Sequence, residues 1–118
     1  MAAYRVISTE EQRNLPPSVI RWMEEHKQIK GRHDFYWLEK QYLLLSLGYR
    51  PSLGYQLNIC KSEHGKEGVN LIVEETTPQQ GFVYPQIVVY PYLLLETKQP
   101  INIHLISANE TSHLFQLK

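Results

Sequence analysis

Gln41-Tyr42-Leu43-Leu44-Leu45-Ser46-Leu47-Gly48-Tyr49-Arg50-Pro51-Ser52-Leu53-Gly54-Tyr55 is the stretch on which the fold turns. Its first seven residues put Leu43, Leu45 and Leu47 on one face and Tyr42, Leu44 and Ser46 on the other, the period of a β-strand. The eight residues from Gly48 to Tyr55 then break the pattern with Gly, Pro, Ser and Gly, the residues of a tight loop. Residues 55–61 alternate again, with Leu57 and Ile59 inward and Gln56, Asn58 and Cys60 outward. The reading is strand, loop, strand, with Tyr49, Arg50 and Tyr55 carried on the loop.

Downstream the signal stays β. Val69, Leu71 and Val73 alternate after a polar loop at 62–68, so residues 55–75 read as a hairpin. Residues 77–81 form a connection. Residues 85–97 are apolar but interrupted by Pro91, which cannot donate to a ladder and belongs at an edge, bulge or bend. Ile101, Ile103 and Leu105 mark a further strand, and residues 113–117 a short last one. Upstream, residues 4–7 read as a short opening strand and residues 8–14 as a polar run with a turn of helix. Pro16-Pro17-Ser18 opens a helix reaching about Ile29, with Val19, Trp22, Met23 and Ile29 near one face and Gly31 as its stop. The expected fold is α+β and mainly β: a small antiparallel sheet or partly closed barrel of six to seven strands in meander order. One N-terminal amphipathic helix packs on it.

A chain of 118 residues, 42% hydrophobic and 20% charged, reads as one globular domain spanning 1–118. Twelve basic residues balance twelve acidic ones, which argues against nucleic acid as the partner. No apolar run is long enough for a helix to span a membrane, so no membrane insertion is expected. The N-terminus lacks the basic start and apolar run of a signal peptide, so the chain as given reads as cytoplasmic; a trimmed N-terminus would allow a secreted or surface-associated protein.

Nothing in the sequence assembles a catalytic set, and no enzyme activity is expected. The single cysteine, Cys60, falls within a strand beside Lys61, without the helix N-terminus that favours a thiolate. His26, His33, His64, His104 and His113 form no close pair at the spacing of a metal site, and no metal or cofactor is expected. Glu74 and Glu75 point to opposite faces of a strand, a poor acid–base pair. Tyrosines are another matter, since a large apolar face with a polar tip suits a binding surface. Tyr49, Arg50, Pro51, Ser52, Gly54 and Tyr55 are the candidate partner-binding residues, with Arg50 supplying charge-assisted hydrogen bonds. Tyr84, Tyr90 and Tyr92 are candidates for an aromatic small-ligand pocket. Exposed edge strands allow self-association by sheet extension.

The stretch from Tyr42 to Tyr55 resembles the C-terminal domain of the PrcB family, a protease-complex subunit, whose members carry a strand ending in Gly and then Arg-Pro-Thr-Gly-Gly-Tyr. Val89-Tyr90-Pro91-Tyr92 is similar to that family's Tyr-Pro-Tyr strand. Leu15-Pro16 before the helix and Glu75-Thr76 before Pro78 also fit, so the resemblance extends over residues 4–97. It implies a non-enzymatic accessory module binding a protein or peptide partner, a protease among them. Ser52 replaces the usual threonine and keeps the hydroxyl. Leu53 replaces the first of two glycines; if that site required positive φ, leucine would be strained there. Pro51-Ser52-x-Gly54-Tyr55 also resembles the Pro-Thr-Thr-Gly-Tyr loop of chagasin-like cysteine-protease inhibitors, which insert loops into a protease cleft.

Overall fold

Two short helices precede the main β region in the computed structural model, which describes residues 3–106 and 111–112. After β1 (Tyr4–Val6), Ser8 caps α1 (Thr9–Gln12): its Oγ accepts the Glu11 N–H at 3.2 Å, and Glu11 Oε1 accepts the Ser8 N–H at 3.3 Å. α2 (Pro17–His26) begins on a proline, whose missing N–H is not needed in a first turn, and buries Val19, Trp22 and Met23. The helix stops short of the expected Ile29, whose side chain is exposed. Gly31 is not its stop. With φ +128° it opens β2 (Gly31–Trp37), a strand ahead of the Gln41–Leu47 run.

β3 (Lys40–Ser46) pairs with β2 on one side and β6 (Tyr92–Thr97) on the other, and β1 closes the sheet in the order β1-β6-β3-β2. The second sheet holds β4 (Gln56–Gly65), β5 (Gly68–Thr76), β7 (Ile101–Ile106) and a two-residue β8 (Thr111–Ser112), in the order β4-β5-β7-β8. The architecture is thus mainly β as expected, but it is two sheets rather than one, and no barrel closes among the described residues. Meander order also fails. The chain leaves β5, crosses to the first sheet as β6, and returns as β7 parallel to β5. Alternation identifies strands but not their partners, so this crossing could not be read from the pattern. The expected last strand at 113–117 lies outside the described residues.

β3 is central and buried on both faces, which explains its near-continuous apolar run. Leu43, Leu45 and Leu47 meet Leu57, Val69, Leu71, Val73, Ile101, Ile103 and Leu105 of the second sheet in the inter-sheet core. Tyr42 and Leu44 face the other way, into a smaller core with Ile7, Val19, Trp22, Met23 and Leu94 beneath the helices. The β4–β5 hairpin is present, but residues 62–65 continue the strand rather than looping. A bulge between Ile59 and Lys61 shifts the register, and the edge position tolerates exposed Lys61, Glu63 and His64, so period-two alternation fades there.

Candidate functional site

The Gly48–Tyr55 segment does not cap a hairpin; it carries the chain from β3 in one sheet to β4 in the other. It is pinned along its length. Leu47 N–H donates to Pro91 O at 3.0 Å, and Arg50 and Val89 exchange two backbone hydrogen bonds of 2.9 Å. Pro91 therefore sits in the bend before β6, one of the placements its missing N–H permits. Gly48, at φ +77°, makes the first turn, and its N–H donates to Ser46 Oγ at 3.2 Å. Ser46 Oγ in turn donates to Lys27 O at 2.5 Å, tying the end of α2 to the loop.

Arg50 is turned into the protein. Its Nε donates to Glu75 Oε2 at 2.6 Å and its Nη2 to Glu75 Oε1 at 3.2 Å, the two-pronged geometry that suits a guanidinium and a carboxylate. Nη1 donates to the carbonyls of Tyr49 at 2.8 Å and Leu47 at 3.3 Å. The hydrogen bonds to Glu75 hold the Arg50 pKa above its ordinary value, outweighing desolvation, which lowers it. The guanidinium also lies over the Tyr55 ring, 5.9 Å from its centroid. The charge-assisted bonds expected of Arg50 are thus made within the chain.

Ser52 is buried and its Oγ accepts the Gly54 N–H at 3.2 Å, while Pro51 is exposed. Gly54 packs on Pro78 so closely that a Cβ would lie 2.7 Å from Pro78 Cγ. Here the glycine is needed for close approach, not for positive φ. Leu53 lies outside the positive-φ region, so leucine in place of the family's glycine carries no such strain. Instead its side chain is 46% exposed, and Tyr49 is 56% exposed.

The structure brings the two predicted groups of residues together. Leu53, Tyr55 and Leu57 line one side of a groove of ≈ 350 Å³, and Val89, Tyr90 and Tyr92 line the other. Tyr84 is not part of it; its hydroxyl accepts the Gln79 N–H at 3.4 Å. Tyr92 is committed at its tip, donating to Gln12 Oε1 at 2.7 Å. Ile87 and Val88, on the segment paired with Arg50, are each 53% exposed. Sequence reasoning missed Leu53, Ile87 and Val88, because a hydrophobic residue in a loop carries no signal of exposure.

Cys60 is exposed, with Sγ donating to Glu74 Oε1 at 3.3 Å. Desolvation first, and then the hydrogen bond and charge of Glu74, push its thiol pKa up and disfavour the thiolate. The histidines are less scattered than their spacing implies: the His26 and His33 rings lie 5.1 Å apart. Each has one ring nitrogen on a backbone carbonyl, Trp22 O and Ile29 O, at 2.8 Å. No group of three or more metal-ligating side chains is gathered among the described residues.

No curated protein and no solved structure matches the chain. Residues 41–98 match the family described as PrcB C-terminal, from the second residue of β3 to just past the end of β6. The match includes the whole Gly48–Tyr55 loop, Glu75, Pro78 and the Tyr90-Pro91-Tyr92 bend, whereas Leu15-Pro16 lies outside it. Residues 41–98 of the chain thus carry a PrcB C-terminal domain.

Proposed function

We propose that this domain is a non-enzymatic accessory module that binds a protein or peptide partner at the Gly48–Tyr55 loop and the neighbouring 87–92 segment. The observation that carries this reading is the division of labour within the loop. Arg50, Ser52 and Gly54 face inward and fix the backbone, while Tyr49 and Leu53 stand exposed beside an aromatic-walled groove. A loop held in one conformation loses little entropy on binding, which favours recognition. Contact area comes from Tyr49, Leu53, Ile87 and Val88, with the Tyr55 and Tyr90 rings lining the groove. The role of Arg50 is to hold the loop rather than to reach the partner. The family match over residues 41–98 makes a protease a reasonable partner, since the family's name comes from a protease complex.

Affinity capture from native cell extract tests this with wild type and the double variant Tyr49→Ala/Leu53→Asp. Both side chains are exposed, so the thermal midpoint should change little. The proposal expects a protein retained by wild type to be lost from the variant. Equal retention by both removes the loop from the interface.

A further inference from the structure

At the opposite end of β6 from the groove, the α1–α2 turn overhangs the β2–β3 hairpin and leaves a cavity of ≈ 610 Å³. That is within the range of small-molecule sites. Leu15, Pro16, Trp37 and Leu38 supply apolar walls, and Tyr42 and Glu96 line the cavity from adjacent strands. Tyr42 is 1% exposed and lines this cavity; among the described residues the buried side-chain oxygen left without a partner is Thr97 Oγ1, so the Tyr42 hydroxyl opens to the cavity rather than being sealed in the core. A phenol hydroxyl open to a cavity can exchange water for an acceptor on a ligand.

The charges around the cavity are already engaged with one another. Arg5 Nη2 donates to Glu96 Oε1 at 3.1 Å, and Arg5 also pairs with Glu11. Lys40 Nζ lies 3.9 Å from the same Glu96 oxygen. An ionic ligand would have to break these pairs, whereas a neutral one would not. Leu38 adds a further mark. It is 85% exposed at the rim and held at φ +56°, a conformation that costs a side-chain-bearing residue about 1–2 kcal/mol.

We infer that this cavity is a second binding site, separate from the loop surface, for a neutral, largely apolar small molecule carrying a hydrogen-bond-accepting oxygen. The apolar body lies against Trp37, Leu15 and Pro16, and the oxygen accepts from the Tyr42 hydroxyl.

Nile red, which is uncharged, apolar and carries a ring carbonyl, is the probe. Titrated into the intact chain, it should show saturable, blue-shifted emission. Tyr42→Phe, which removes one oxygen, should weaken binding by roughly three- to tenfold, as expected for one hydrogen bond. Trp37→Ala should weaken it at least as much, and Leu53→Asp in the distant groove should leave it unchanged. Thermal midpoints close to wild type for Tyr42→Phe and Leu53→Asp separate loss of the site from loss of the fold. Absence of saturable binding, wild-type affinity in Tyr42→Phe, or loss of binding in Leu53→Asp alone would each overturn the proposal.

Discussion

Removing the Arg50 guanidinium leaves the Glu75 carboxylate, 7% exposed, without its cation, and leaves two loop carbonyls without their donor. Arg50→Ala should therefore cost about 2–3 kcal/mol, the range of a partly buried charge-assisted pair. Arg50→Lys should recover only part of that, because an ammonium cannot span both carboxylate oxygens. Urea denaturation of the three proteins measures this, and an Arg50→Ala curve superimposable on wild type would show that the pair does not hold the loop. The sequence made the loop itself legible, through Gly48, Pro51 and Gly54. It could not show which way Arg50 points, because Glu75 lies on another strand and only the β4–β5 pairing places it next to the loop. Leu53 illustrates the reverse. A departure from the family pattern looks like a defect until the backbone proves to need no positive φ, and it then becomes an exposed apolar side chain.

Among the elements, the β2–β3 hairpin was hidden for a reason that can be tested. Trp37 pairs with Lys40, so Leu38 and Glu39 form a two-residue turn. Such turns ordinarily announce themselves by Gly, Asn or Asp, and this one does not. Leu38 has positive φ and Glu39 does not, the pattern of a type II′ turn, whose first position favours glycine. Leu38→Gly should stabilise the chain by about 1 kcal/mol, the relieved backbone cost less the added entropy of glycine in the unfolded chain. A fall in the thermal midpoint would mean that Leu38 packs more productively than its exposure implies. Elements with strong alternation, β3, β5 and β7, were legible almost to the residue. β4 was legible only to its bulge, since beyond Cys60 an edge strand needs no apolar face.

Over the whole molecule, the crossing of β6 between sheets is what composes the candidate site. It delivers residues 87–92 to the side of the β3–β4 connection, so that Tyr55 and Tyr90 face the same groove although 35 positions apart. Mainly β character could be read from period and punctuation. The parallel β5–β7 pair and the sandwich core could not, because both depend on long-range pairing. The same crossing sends β6 from the loop surface at Tyr92 towards the second cavity at Glu96, and the two regions share no lining residue. It follows that a bound partner should leave a footprint at one end of β6 only. Amide hydrogen exchange of the domain with and without its captured partner measures this directly. Added protection should fall on residues 48–57 and 87–92, with β2, the rest of β4 beyond Leu57 and the 37–40 turn unchanged. Protection confined to the β4 edge or to the 37–40 turn, with residues 48–55 exchanging as in the free domain, would contradict the assignment of recognition to this loop.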